Sequence, residues 1–211
     1  MTIPEIPPSR PPVVHIVDDD PAIRDALAWL FKSRGVVAHG WPSGEAFLDA
    51  YSPDIEGCIV IDIRMGPMSG MELFERLLAR GAAQPVVFLT GHGDVPIAVE
   101  VLQKGAADFL EKPFNDNELV DRVLRAIAKA SERAGNRSRR QAIEARLAEL
   151  SGREREVLDR LLAGFRNKQI ADELGITMRT VEVHRARILE KMGARNAVEL
   201  ARLVSGVLGD G

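Results

Sequence analysis

Four short apolar runs in the first 113 residues each end in a residue able to do chemistry. Val13-Val14-His15-Ile16-Val17 leads into Asp18-Asp19-Asp20, and Cys58-Ile59-Val60-Ile61 into Asp62. Val86-Val87-Phe88-Leu89 leads into Thr90, and Phe109-Leu110-Glu111 into Lys112-Pro113. Runs of this kind, separated by amphipathic stretches, are the pattern of a parallel sheet with crossover helices. As neighbouring parallel strands they bring the acids, the hydroxyl and the lysine to one carboxyl edge, where open α/β sheets bind ligands. Carboxylates beside a lysine suit a hard metal ion and a phosphoryl group.

The spacing predicts five βα units. Pro21 to Arg34 reads as the first helix, Val36 to Trp41 as a strand, and Ser43 as the cap of a helix through Tyr51. Met71 to Arg80, Val95 to Lys104 and Asn115 to about Lys129 read as further helices. Beyond a joint at 131–149 the chain reads as entirely helical. Ser151 and Glu154 form a capping box, and Gly164, Gly175 and Gly193 end successive helices. The short helix Asn167–Leu174, a tight turn and a longer helix from Thr177 or Met178 to Met192 make a helix-turn-helix. The last helix is expected over Asn196 to Val204. The domains are therefore a flexible tail at 1–12, an α/β domain at 13–130, a partly helical linker at 131–149, a helical domain at 150–205 and a tail at 206–211. Within the linker, Gly135, Asn136 and several arginines read as a solvated hinge, followed by Ile143, Leu147 and Leu150 at helical spacing, a short packed helix or, alternatively, a dimer-forming one.

Charge divides the chain the same way. Residues 13–130 carry 18 Asp and Glu against 11 Lys and Arg, whereas residues 131–211 carry 12 against 16. An acidic half and a basic half suggest two tasks, the second on nucleic acid. No apolar stretch approaches the roughly 20 residues that span a bilayer. A lone cysteine, Cys58, permits no internal disulfide and fits a reducing compartment. It reads as a packed thiol, His15 as a packed histidine, and Asp20 as a cap beside Pro21.

Together, Asp18, Asp19, Asp62 and Lys112 form a site rather than a set of surface residues. Mg²⁺ takes octahedral oxygen ligands, often one or two carboxylates with retained waters. A carboxylate beside it can attack phosphorus and form an acyl phosphate.

On these residues, 13–130 resembles a receiver domain of a two-component response regulator. The carrying motifs are Val17-Asp18-Asp19-Asp20, Asp62 through Gly70, Thr90-Gly91-His92-Gly93-Asp94 and Phe109 through Phe114. The resemblance implies a doubly wound, five-stranded parallel sheet of the flavodoxin or CheY kind. It implies Asp62 as phosphoacceptor, Lys112 and Thr90 as its partners, and Thr90 with Phe109 as the switch. Asp18, Asp19, Asp62 and the backbone carbonyl of Arg64 would hold Mg²⁺ or Mn²⁺, and the Lys112–Pro113 peptide would be cis. One departure is visible. The family usually has proline four residues after the phosphorylated aspartate, where this chain has Gly66 and then Pro67. Glycine loosens the backbone there, which suggests that phosphoryl lifetime or the register of the loop differs from relatives.

Residues 150–204 resemble the LuxR-type (GerE) DNA-binding domain. The carrying strings are Leu150 through Leu158, Asn167-Lys168-Gln169-Ile170-Ala171 and Thr180-Val181-Glu182-Val183-His184. The resemblance implies Glu182, Val183, Ala186 and Arg187 facing bases, with Lys168, Thr180 and Arg185 on phosphates. The whole chain is similar to the FixJ/NarL type, on the FixJ branch. That implies a cytoplasmic regulator, not an enzyme. Its implied partners are a sensor histidine kinase, double-stranded DNA, a second copy when phosphorylated, and RNA polymerase. Val95, Pro96, Ile97 and Val101 are the candidates for its dimer face, with a place in the core as the alternative for each. Two rivals remain at this point. One is a DNA-binding regulator that works without phosphorylation. The other is a haloacid-dehalogenase-like phosphatase, whose Asp-x-Asp-x-Thr motif Asp18-Asp19-Asp20-Pro21-Ala22 does not complete.

Overall fold

The computed structural model describes residues 11–91 and 95–208. Apart from residues 11 and 12, the tail expected over 1–12 lies outside them. The chain divides into two compact units, Met1–Glu132 and Arg133–Gly211.

In the first unit, strands β1 (Val13–Val17), β2 (Val37–Trp41), β3 (Cys58–Asp62), β4 (Val86–Thr90) and β5 (Asp108–Glu111) form one parallel sheet in the order β2-β1-β3-β4-β5. The two central strands β3 and β4 are buried at every position, which is why their sequences are unbroken apolar runs. Helices α1 (Pro21–Ser33), α2 (Gly44–Ala50), α3 (Gly70–Ala79) and α4 (Val95–Gln103) form the connections. Two apolar clusters result. One joins Val14, Ile16, Val60 and Leu89 to Leu27 and Phe31 of α1, and the other joins Ile59, Ile61 and Phe88 to Phe47, Leu73 and Leu77. The caps are local and legible. Asp20 accepts from Ala22 N at 2.8 Å, Ser43 caps α2 and Ser69 caps α3.

Helix α5 runs without interruption over Asp116–Ala148. The hinge expected around Gly135 and Asn136 is therefore helix. A glycine inside a helix costs about 1 kcal/mol relative to alanine, and its neighbours here are mostly strong helix formers. The amino-terminal turns of α5 supply Leu119, Val120, Val123 and Ala126 to the first unit's core. Ile143, near its other end, is buried in the core of the second unit.

The second unit also contains α6 (Gly152–Leu162), α7 (Asn167–Leu174), α8 (Met178–Met192) and α9 (Ala197–Leu208). Its core gathers Ile143, Leu150, Val157, Leu158, Ile170, Val181, Ile188, Met192, Leu200 and Val204. Gly175 takes a left-handed φ of 63°, which lets α7 stop and α8 start within a three-residue turn. Thr177 caps α8 by accepting from Thr180 N at 3.2 Å.

Candidate functional site

The strand order reverses direction between β1 and β3, so a crevice opens where their carboxyl ends diverge. Asp18 follows β1 and Asp62 ends β3. Lys112, just after β5, bonds both of them. Its Nζ lies 2.7 Å from Asp62 Oδ1 and 3.3 Å from Asp18 Oδ2. Asp18 is 1% exposed and Asp62 8%, so two buried carboxylates share this one ammonium. Asp18 is further held by the Asp20 amide, which donates to its Oδ1 at 2.9 Å. The Arg64 amide donates to Asp62 Oδ2 at 3.0 Å.

These placements set the protonation balance. Burial pushes the Asp62 carboxyl above its ordinary value, the Asp18 charge adds to the push, and Lys112 opposes it. Burial pulls Lys112 down, but its bond to Asp62 and the attraction of Asp62 and Asp18 outweigh that pull. The ammonium is thus retained.

Thr90, 2% exposed, also stands at this edge, but its hydroxyl donates to the Leu110 carbonyl at 3.4 Å. Phe109 is half-buried against the second apolar cluster. Asp19 is exposed, and its Oδ2 accepts from the Gly66 amide at 3.3 Å. The Lys112–Pro113 peptide is cis, and so is Gly66–Pro67. Of the motif after Thr90, His92, Gly93 and Asp94 lie outside the described residues.

The donor set fits a small hard cation. Asp18, Asp62 and Asp19 bring three carboxylates to one edge against the single ammonium of Lys112, and carboxylate oxygens are the ligands Mg²⁺ prefers. Among the described residues, no three acid, imidazole or thiol side chains already stand gathered as a metal cage. Two of the three carboxylates are drawn to Lys112 instead.

Two other polar side chains of the sheet are packed into it. His15, 4% exposed, meets the Glu56 carbonyl through Nε2 and the Trp41 indole through Nδ1, and burial holds its pKa below the ordinary value. Cys58 is buried, which pushes its thiol up. The dimer-face candidates need correction. Val101 is fully buried and Ile97 packs on the core, and among the described side chains of α4 the exposed apolar ones are Val99 and Leu102. The side chains of Val95 and Pro96 lie outside the described residues.

In the second unit, Glu182, Val183, Ala186 and Arg187 are exposed along α8, whereas Val181, Ile188 and Met192 face the core. Exposed Met178 extends the outer face and was missed by sequence reasoning. Lys168 is exposed on α7, and Thr180 is half-buried beside Thr177. Arg185 is half-buried, with its guanidinium on the Asn167 side chain at the start of α7. Glu182 pairs loosely with Arg179 at 3.5 Å.

The end of α8 is anchored. Ser151 and Glu154 cap α6 reciprocally, and Glu154 Oε2 also accepts from Lys191 Nζ at 2.7 Å. Lys191 and the Ser151 amide together hold Glu154 down to about 2, below its ordinary 4.5. With the folded value depressed, this stabilisation is whole above pH 4.5 and fades as pH falls toward 2. Glu154→Gln is therefore expected to reduce the second unit's unfolding free energy at pH 7 by about 1–3 kcal/mol. Thermal unfolding at a series of pH values checks it, and the gap from wild type should close across that window. A gap of constant size would exclude the ion pair as its source.

Comparison with known proteins covers both units. A model of the response regulator receiver domain matches residues 14–124, and one of the bacterial regulatory proteins of the luxR family matches residues 148–204. The C4-dicarboxylate transport transcriptional regulatory protein DctR of Rhodobacter capsulatus is 53% identical, over 90% of this chain and 98% of its own. The transcriptional regulatory protein FixJ of Azorhizobium caulinodans is 48% identical, over 96% of each. Among solved structures, the response regulator StyR is 39% identical with a TM-score of 0.82, covering 92% of this chain and 98% of its own. Full-length FixJ from B. japonicum is 43% identical with a TM-score of 0.61, covering 95% and 98%.

Proposed function

The chain belongs to the response regulators that join a receiver domain to a LuxR-type DNA-binding domain, and from that premise we propose that Asp62 is its phosphoacceptor. The observation that carries this reading is the pair of buried carboxylates, Asp62 and Asp18, sharing Lys112 at the sheet's reversal point. Asp62 is fixed in aim by two donors. Lys112 holds Oδ1 and the Arg64 amide holds Oδ2, so the carboxylate cannot swing away from an incoming phosphorus.

The donor is a phosphohistidine of a sensor kinase. A carboxylate oxygen of Asp62 attacks phosphorus, the P–N bond breaks, and the imidazole leaves with the electron pair. Lys112 compensates the charge that builds on the transferring group. Asp18, Asp19, Asp62 and the Arg64 carbonyl would hold Mg²⁺ or Mn²⁺, which when bound supplies further charge neutralisation. Thr90 then exchanges its Leu110 carbonyl for a phosphoryl oxygen, and Phe109 turns inward. The phosphorylated chain pairs with a second copy, binds double-stranded DNA and contacts RNA polymerase. All of this takes place in the cytoplasm. The pocket stores a phosphoryl group rather than turning over substrate.

On DNA, α8 enters the major groove. Glu182, Val183, Ala186 and Arg187 face bases, and Lys168, Thr180 and Arg185 meet phosphates. The test is selection of binding sites from random duplexes by the full chain, with and without a small phosphodonor. Phosphodonor should raise affinity and enrich paired half-sites. Identical selection in both arms would favour the phosphorylation-independent reading. In the same assay Glu182→Ala should relax one position of the site, at about 1–3 kcal/mol of base discrimination. Uniform weakening on every sequence would refute a base contact.

A further inference from the structure

The loop from β3 to α3 is pinned at both ends. Met65 and Met68 are buried at 7% and 4% exposure. The Gly70 amide donates to the Ile63 carbonyl at 3.0 Å, and a Cβ on Gly70 would fall 2.2 Å from the Asp62 carbonyl oxygen. Between these anchors, Gly66 and Pro67 are exposed at the mouth of the pocket. The Gly66 amide reaches a residue 47 positions away in sequence and donates to Asp19 Oδ2.

Among the described residues, no close contact and no left-handed φ requires glycine at 66. A Cβ there would meet nothing within 4 Å, and its φ is not in the left-handed range. A Cβ therefore has room beyond its immediate chain neighbours. What residue 66 supplies is its N–H, which every amino acid except proline also carries. Asp19 is exposed. A carboxylate bonded through one oxygen is held with the other free.

We propose that the Gly66 backbone N–H is a positioning group, which holds the Asp19 carboxylate at the mouth of the pocket and so sets how tightly this chain takes up a divalent cation. The inference rests on the reading of the pocket as a cation and phosphoryl site. Hydrogen-bond partners of metal ligands typically carry 10–100-fold in affinity, and a long bond at an exposed residue belongs at or below the low end, about three- to tenfold.

The experiment is calorimetric titration of the unphosphorylated full chain with Mn²⁺ alone and with Mg²⁺ alone. It compares wild type, Gly66→Ala, which keeps the N–H, and Gly66→Pro, which removes it. Gly66→Ala should bind as wild type does, and Gly66→Pro should bind about three- to tenfold more weakly. Equal binding by Gly66→Pro and wild type overturns the proposal, as does equal weakening of both variants. Should Gly66→Pro fail to fold, amide exchange decides. The Gly66 amide of Asp19→Ala should exchange faster than in wild type, and an unchanged rate overturns the proposal. If wild type itself takes up neither ion, the cation reading of the pocket falls and this proposal falls with it. That outcome is distinct from wild-type binding with an indifferent Gly66→Pro.

Discussion

Asp62→Asn should reduce phosphoryl labelling of the full chain to background and abolish donor-dependent pairing, while leaving the fold at least as stable as wild type. The two halves of that expectation come from one cause. The substituted amide has no carboxylate oxygen to form an acyl phosphate. Yet burial and the neighbouring Asp18 charge push the Asp62 carboxyl up, so its ionised form is the one the pocket disfavours. Removing that charge removes a cost, even though the Lys112 bond at 2.7 Å is weakened. Labelling with a radioactive phosphodonor, sedimentation with and without donor, and urea unfolding check the three parts. Donor-dependent pairing in the variant would contradict Asp62 as the acceptor. A large loss of stability would contradict the charge argument.

Lys112→Ala should do the reverse to stability. Asp18 and Asp62 are 2% and 10% exposed in their side chains, and Lys112 bonds both. Deleting the cation leaves two close, buried, like charges. Removing one partner of a buried ion pair commonly costs 3–5 kcal/mol, and partial exposure of Lys112 lowers the expectation to about 2 kcal/mol. Phosphoryl uptake should slow by about 10²-fold, the usual effect of losing one charge-stabilising group. The double variant Lys112→Ala, Asp62→Asn should regain most of the lost stability, because a single carboxylate then remains. A double variant no more stable than Lys112→Ala alone would show that the loss came from packing.

The residues at the sheet edge were legible in the sequence because a residue that ends a strand or directly follows it is placed in space by the strand itself. Asp18, Asp62, Thr90 and Lys112 each close an apolar run, and the order β2-β1-β3-β4-β5 brings those ends together. The turn before α8 was legible for a similar local reason. Gly175, Thr177 and the Ser151–Glu154 box act within four residues. Three features were not legible. Helix α4 is apolar nearly all round, so its sequence carries no phase and leaves Val101 open as dimer face or core; the fold buries it and exposes Val99 and Leu102. Gly135 and Asn136 read as a hinge, although the helix formers around them carry α5 straight through. The Gly66 bond to Asp19 joins residues far apart in the chain, and no local pattern announces it.

The end of α5 bears on where the second half could be cut from the first. Sequence resemblance begins at 148 or 150, as though the reader of DNA started there. Physically it starts earlier. Ile143 fills its core, Leu147 packs beside it, and the Arg146 guanidinium donates to the Met192 carbonyl at 2.9 Å, closing the last turn of α8. A recombination joint at 150 would strip an apolar plug and a helix cap from the incoming half. A graft that keeps the donor's own Ile143, Arg146 and Leu147 carries them across, so the segment named a linker by position is inherited as part of the cargo.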